Sequence, residues 1–190
     1  MIPSFNISGV LPPFVGADPG GPAAASSPYA TTMVEVCSHL CTTQERANIL
    51  RGLLRLREAL RRLGFDRGFQ WMDGSFCEDC EKVNGRPPRD IDIVTFIARP
   101  EHLRPPHQWT AFTEANRHVF HPADAKRNYG CDARYVEINT HAANAIKQTA
   151  YWYGLFSHQR ATFLWKGMLQ VELSEDDGPA LGLINLTFPV

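Results

Sequence analysis

The sequence predicts a mixed α/β (α+β) domain, because segments with strand character alternate with segments of helical periodicity through the middle of the chain. The clearest strand is the run from Ile91 to Ala98, which is rich in β-branched residues. The clearest helix has a stripe of apolar residues at helical spacing, namely Ile49, Leu53, Leu56, Leu60 and Leu63. The chain has 190 residues, of which 44% are hydrophobic, so it is long enough to bury the core of one domain.

The other elements are predicted from periodicity and from breaks at glycine and proline. We expect helices near 33–41, 43–63, 75–83, 109–120 and 140–160, and strands near 65–72, 91–98, 131–138, 166–173 and 181–188, the last two forming a hairpin. Residues 1–30 are rich in Pro, Gly, Ala and Ser and predict an irregular N-terminal arm, in which 5–15 lies against the domain and 16–28 forms a loop. The domain itself is expected to occupy residues 31–190.

Two pairs with capping-box spacing mark the first two helices. They are Thr32 with Glu35 and Thr42 with Glu45. The second helix also carries six arginines, which we interpret as a solvated surface rather than a phosphate-binding patch, namely Arg46, Arg51, Arg55, Arg57, Arg61 and Arg62.

Composition excludes several classes of protein. The formal net charge is -1, from 19 basic and 20 acidic residues, so bulk positive charge cannot hold a nucleic acid. The sequence offers neither a signal peptide nor a long apolar stretch, so we expect a soluble cytoplasmic protein without a membrane partner.

The five cysteines are an odd number, which favours free thiols over a zinc site, although Cys77 and Cys80 have the spacing of zinc ligands.

The turn at Gly74 and Ser75 is the first chemical signal. A strand that ends in Gly-Ser and enters a helix presents backbone N–H groups and a hydroxyl to a phosphate. Ser75 can equally cap its own helix, with Glu78 completing a capping box. The Gly-Ser pair alone is therefore weak evidence for a phosphate site.

The segment Asp90-Ile91-Asp92 is the stronger signal. Alternate side chains of a strand share a face, so Asp90 and Asp92 project together while Ile91 enters the core. Two crowded carboxylates favour a bound cation, and oxygen ligands suit Mg²⁺ held partly by substrate phosphates. The alternative is that Asp92 pairs with an arginine such as Arg86 or Arg89.

Over residues 65–138 the chain resembles the DNA polymerase β-like nucleotidyltransferase superfamily, in particular its minimal members in bacterial toxin–antitoxin and phage-defence systems. The residues that match are Met72-Asp73-Gly74-Ser75 and Asp90-Ile91-Asp92-Ile93, although Asp73 occupies a position that is usually apolar. The pattern includes a third carboxylate on a later strand. Both Asp132 and Glu137 fit it, and we prefer Asp132 because it comes directly after a tight turn at a strand start.

The resemblance implies a nucleotidyltransferase-like mixed sheet that binds ATP or another nucleoside triphosphate with Mg²⁺ or Mn²⁺. Asp90, Asp92 and Asp132 would hold the metal ions and carry catalysis, while Gly74 and Ser75 would bind the terminal phosphates. Three residues are candidates for neutralising the remaining charge, namely Lys126, Lys166 and Arg89.

The nucleoside monophosphate would pass to an RNA, a protein or a small molecule, with a cognate protein as a further partner. Tyr151 and Tyr153 on the helix near 140–160 are candidates for lining the acceptor pocket. The alternative is a catalytically idle protein of the same fold that serves as a partner-binding or antitoxin-like module.

Overall fold

The computed structural model describes residues 1–16, 26–160 and 162–189. The helices are α1 (Met33–Leu40), α2 (Gln44–Arg62), α3 (Cys80–Asn84), α4 (Pro106–Ala115), α5 (Arg117–Phe120), α6 (Pro122–Tyr129), α7 (Ala142–Phe156) and α8 (Gly178–Thr187). The strands are β1 (Tyr29–Ala30), β2 (Gly68–Asp73), β3 (Ile91–Ile97), β4 (Cys131–Glu137) and β5 (Leu169–Glu172). No helix in these described residues is long and apolar enough to cross a membrane.

The strands form one mixed sheet in the order β1-β5-β2-β3-β4. β3 pairs with β4 in parallel, β2 is antiparallel to both of its neighbours, and β1 is parallel to β5. The predicted mixed α/β class is therefore confirmed, and the domain has helices on both faces of the sheet.

Side-chain alternation divides the core between these two faces. Ile91, Ile93 and Ile97 of β3 lie in the larger cluster, together with the apolar stripe of α2. Val94 and Phe96 face the other way, into a smaller cluster that includes residues of α7. Since successive strand residues alternate between faces, a polar residue at an even-numbered position of β3 lies on the α7 face.

The helix starts agree with the predicted capping, with one shift. Thr32 Oγ1 accepts a hydrogen bond from Glu35 N at 3.1 Å, as expected for the cap of α1. For α2 the cap is Thr43, which accepts from Arg46 N at 3.3 Å, rather than the predicted Thr42.

Two arginines of α2 correct the interpretation of its polar side as solvated. Arg46 and Arg57 are fully buried. Arg57 Nε donates to both carboxylate oxygens of Asp177, at 3.0 and 2.8 Å, and its Nη1 donates to Gln70 Oε1 at 2.9 Å. These two guanidinium groups are therefore part of the packed interior, because each meets buried acceptors there.

The C-terminal hairpin is the clearest wrong prediction. Its first strand exists as β5, but β5 pairs with β1 and β2, and the segment at 181–188 lies mainly in helix α8. Ala180 and Ile184, four residues apart, bury one side of α8, which packs on α1 and α2. Periodicity cannot separate a short buried helix from a strand when the segment is apolar almost throughout.

Two further segments differ from expectation. The helix predicted near 75–83 is divided into a 3₁₀ turn at Gly74–Cys77 and the short helix α3, because Glu78 is extended and bridges to Val10 of the arm. The helix predicted near 109–120 is interrupted at Asn116, where α4 ends and α5 begins. Within the arm, Val10 and Leu11 are buried as expected. Residues 17–25 of its predicted loop lie outside the described residues.

Candidate functional site

Three aspartates form a row across neighbouring strands. Asp73 of β2 lies opposite Asp92 of β3, and Asp92 lies opposite Asp132 of β4. Residues of the same strand parity, such as Val94 and Val136, belong to the cluster on the α7 face. The three carboxylates therefore project from that face, at the end of the sheet where β3 and β4 begin.

A cleft of about 1210 Å³ lies over this row. Its walls come from the turn after β2, from α7 and from the chain between α7 and β5. The charged residues that line it are Asp73, Glu78, Arg86, Asp90, Asp92, Lys126, Asp132, Arg134, Arg160 and Lys166. The predicted metal and nucleotide residues, including Gly74 and Ser75, are thus brought to a single cleft, with the exception of Arg89, which does not line it.

Gly74 allows the chain to pass directly over Asp92. Its φ of +79° is in the left-handed region, and a Cβ placed there would lie 2.1 Å from Asp92 Oδ2. Ser75 comes next in the 3₁₀ turn and lines the cleft, but it does not cap a helix; the N-cap position is Asp73, without a side-chain bond. The capping alternative for Ser75 and Glu78 is therefore wrong.

Asp92 is held in an unfavourable electrostatic environment. Burial raises the pKa of this carboxyl, and the negative charges of Asp90 and Asp132 raise it further, while Lys166 and Lys126 oppose them. In the described part of the chain, no ion pair is formed by Asp92 itself, so the predicted alternative of a pairing with Arg86 or Arg89 is not observed. A carboxylate that burial and like charges both destabilise is a place where an added cation lowers the free energy.

Asp90 and Asp132, by contrast, each have a cationic partner. Lys126 Nζ contacts Asp90 Oδ2, and Arg134 Nε lies 3.2 Å from Asp132 Oδ1. Across residues 1–16, 26–160 and 162–189, no group of three or more His, Cys, Asp and Glu side chains is already arranged as a metal site. The donor set nevertheless fits a hard divalent cation, because three carboxylates from adjacent positions supply oxygen ligands. Such a cation would compete with Lys126 and Arg134 for those oxygens.

Lys166 lies beneath the turn rather than in open solvent. Its side chain is 3% exposed, and Nζ lies 3.0 Å from Asp73 Oδ1 and 2.7 Å from Glu78 Oε1. Burial alone would lower the pKa of this lysine, but the charges of Asp73 and Glu78 outweigh it and the pKa is raised. Burial raises the pKa of Asp73 to about 7, even though Lys166 and the Gly74 N–H lower it. Lys166 is therefore already paired with two protein carboxylates.

Glu78 joins two walls of the cleft. It accepts from Lys166 Nζ and, through Oε2, from Gln159 Nε2 at 2.9 Å. Its own carbonyl accepts from Arg46 Nη2 at 2.6 Å, and Arg46 Nη1 donates to Phe76 O at 2.7 Å. Arg46 thus binds the backbone of the turn through two carbonyl groups. Nothing in the sequence distinguishes it from the other arginines of α2.

The alternative third carboxylate lies elsewhere. Glu137 is at the opposite end of β4 from Asp132, where it pairs with Arg99 and lines a separate cavity. The structure therefore brings Asp132, and not Glu137, together with Asp92.

The remaining candidates from the sequence are two tyrosines and two cysteines, and they do not all line the cleft. Of the two tyrosines predicted to line an acceptor pocket, Tyr151 lines the cleft, while Tyr153 packs edge-on against Trp71 with ring centroids 6.2 Å apart. Cys77 and Cys80 are both buried free thiols, with their sulfur atoms near the backbone carbonyls of Met72 and Arg86.

Fold and site together define a mixed α/β domain with a carboxylate-lined cleft at one end of its sheet. The chain belongs to the DUF6932 family, a family of unknown function, whose model matches residues 3–172. Neither the curated proteins nor the solved structures contain a significant match to the chain.

Proposed function

We propose that this protein is a metal-dependent nucleotidyltransferase, which transfers a nucleoside monophosphate from ATP or another nucleoside triphosphate to an RNA, protein or small-molecule acceptor and releases pyrophosphate. The observation that carries the proposal is the position of Asp92. It lies between Asp73 and Asp132 in the strand register, directly under Gly74, with a pKa raised by burial and by neighbouring carboxylates.

Charge balance in the cleft supports a substrate that arrives with a metal ion. Five carboxylates and five cationic side chains line it, so its formal charge is near zero; the members are Asp73, Glu78, Asp90, Asp92 and Asp132 against Arg86, Lys126, Arg134, Arg160 and Lys166. A triphosphate carries several negative charges and would not be attracted to a neutral cleft on its own. Divalent cations supply the missing charge, as they do in other phosphoryl-transfer sites.

Asp90, Asp92 and Asp132 would hold Mg²⁺ or Mn²⁺. When bound, such ions polarise the phosphate and activate the attacking hydroxyl. The turn at Gly74 and Ser75 would orient the terminal phosphates with its backbone N–H groups and hydroxyl. Lys126 would turn from Asp90 to phosphate oxygens once a metal ion has taken over that carboxylate.

Asp132 is suited to take the proton of the attacking hydroxyl. It is on the edge strand β4, and its side chain is 31% exposed, so an acceptor can reach it from solvent. Arg134 Nε lies 3.2 Å from Asp132 Oδ1 and places a positive charge beside it. We place the activity in the cytoplasm, in a toxin–antitoxin or phage-defence system with a cognate protein partner.

The proposal is tested by thermal shift and by label transfer. Stabilisation by ATP, GTP, CTP or UTP should require Mg²⁺ or Mn²⁺, and labelled triphosphate should mark a macromolecule in cell extract. Asp92→Asn should abolish both effects, while the matched control Glu137→Gln, a carboxylate at the far end of β4, should retain them. If no nucleotide stabilises the protein with either metal, the proposal is wrong. Metal-dependent binding without transfer would favour the idle, partner-binding alternative.

A further inference from the structure

Two aromatic side chains in the cleft are left exposed. Tyr151, on α7, is 60% exposed, and Phe163, between α7 and β5, is 81% exposed. Among the described residues, these two and Leu155 are the exposed large apolar side chains that line this cleft. Aromatic rings normally gain free energy by burial, so rings displayed in a cleft offer contact area to a ligand.

The backbone of Phe163 is in a conformation that costs free energy. Its φ is +58°, the single positive value found for a non-glycine residue in the described ranges. This region is unfavourable for a residue with a Cβ atom, so the surrounding hydrogen bonds must impose it. Phe163 N donates to Gln159 O and Gln159 N donates to Leu164 O, both at 2.9 Å.

The same segment is tied to the turn at Gly74. Glu78 binds Gln159 at 2.9 Å and Lys166 at 2.7 Å, and these two residues flank Phe163 in the chain. Lys166 Nζ also lies 3.5 Å from Gly74 O. The residues on either side of Phe163 are therefore tied to the turn by polar contacts, one of which is fully buried.

We propose that Phe163 and Tyr151 bind the base of the nucleotide by stacking on its ring. This inference rests on the proposed function, because it assumes that the phosphates lie at Gly74 and Ser75. Stacking uses the flat face that every base has, so purine and pyrimidine nucleotides should all benefit, with larger rings benefiting more. The ligand class of this part of the cleft is thus a planar nucleobase, and the stacking supplies affinity without strict base selection.

The test compares two ligands that share the phosphates and differ in the base. Calorimetry measures the affinity of Mg²⁺-ATP and of Mg²⁺-tripolyphosphate for the wild type and for Phe163→Leu and Tyr151→Leu. We expect ATP to bind more tightly than tripolyphosphate, and each substitution to reduce that advantage about tenfold while leaving tripolyphosphate affinity unchanged. Phe163→Trp should preserve the advantage. Ile146→Ala, an exposed apolar residue of α7 away from the cleft, is the matched control and should change nothing.

The outcomes separate the two proposals. Equal binding of ATP and tripolyphosphate to the wild type, or an ATP advantage that survives both leucine variants, overturns the stacking inference and leaves the nucleotidyltransferase proposal intact. Binding of neither ligand overturns the proposed function, and the base site with it.

Phe163→Gly guards against a folding artefact. Glycine accepts a φ of +58° without strain, so this variant should melt no lower than the wild type while losing ATP affinity. A clear loss of stability would show that the ring packs within the protein, which contradicts a ligand-binding role.

Discussion

Asp73 offers a direct measurement of how burial and charge compete under the cleft. Its carboxyl is buried beside Lys166, and its pKa is raised from 3.8 to about 7. Asp73→Asn replaces it with a neutral group of the same size. A tenfold change in proton affinity corresponds to about 1.4 kcal/mol, so the raised pKa corresponds to about 4 kcal/mol of free energy.

Whether this free energy stabilises or destabilises the fold at a given pH depends on which state, folded or unfolded, binds the proton more tightly. Below pH 3.8 the carboxyl is protonated in both the folded and the unfolded chain, and the stabilising contribution of the bound proton is fully present. Between 3.8 and about 7 only the folded state keeps its proton, so the contribution is lost as the pH rises. Above that range the wild type contains a buried, ionised Asp73, whereas the Asn variant does not.

We therefore expect Asp73→Asn and the wild type to have similar free energies of unfolding near pH 4. The variant should become the more stable protein by about 4 kcal/mol near pH 8. Urea unfolding at steps of pH measures this difference, and Asp66→Asn, which removes an exposed carboxylate, should show no comparable trend. A variant that is less stable than the wild type at pH 8 would refute the reasoning, since it would mean that the ion pair with Lys166 outweighs desolvation.

Three other substitutions have outcomes that the structure determines. Gly74→Ala should lose about 2 kcal/mol of stability in urea unfolding, because φ is +79° and the new Cβ would lie 2.1 Å from Asp92 Oδ2. The same variant should lose all metal-dependent nucleotide binding. Unchanged nucleotide binding would show that the turn and Asp92 are not one site. Arg57→Met should cost about 3 kcal/mol in the same assay by leaving Asp177 buried with one cationic partner fewer, and a loss below about 1 kcal/mol would contradict it. Thr43→Ala should cost about 1 kcal/mol by removing the cap of α2, and an unchanged melting temperature would count against the capping role.

Much of the site could be predicted because it depends on local sequence. Asp90 directly precedes β3 and Asp92 is its second residue, in a strand whose inward residues are apolar except for Thr95. Asp132 lies just beyond the glycine that ends α6. Strand alternation then places Asp92 and Asp132 on one face once β3 and β4 pair in parallel. Position along the strand also separates Asp132 from Glu137, which are at opposite ends of β4.

The buried part of the site could not be predicted, since it depends on contacts between distant segments. Glu78 suggests a helix cap when only its neighbours are known, but its carboxylate binds Lys166, which lies 88 residues further along the chain. Arg46 is indistinguishable in sequence from the exposed arginines of α2, and only the fold brings the carbonyl groups of Phe76 and Glu78 to it.

The strand order illustrates the same limit. Tyr29 and Ala30 have no alternating pattern long enough to indicate a strand, yet they form β1 because the edge of β5 is available to them. The sequence of α8 begins with Gly178 and Pro179, a helix-start signal that the apolar run after it obscures.

The pairing of Arg57 with Asp177 also determines where this chain can be cut. The family match ends at residue 172, before Asp177 and before α8. A fragment trimmed to that boundary would retain the buried Arg57 guanidinium of α2 while removing the carboxylate that balances it, and it would uncover the sides of α1 and α2 on which α8 packs. Expression of residues 3–172 alone should consequently yield insoluble material, and fragments intended for crystallisation or binding assays need to extend through Thr187.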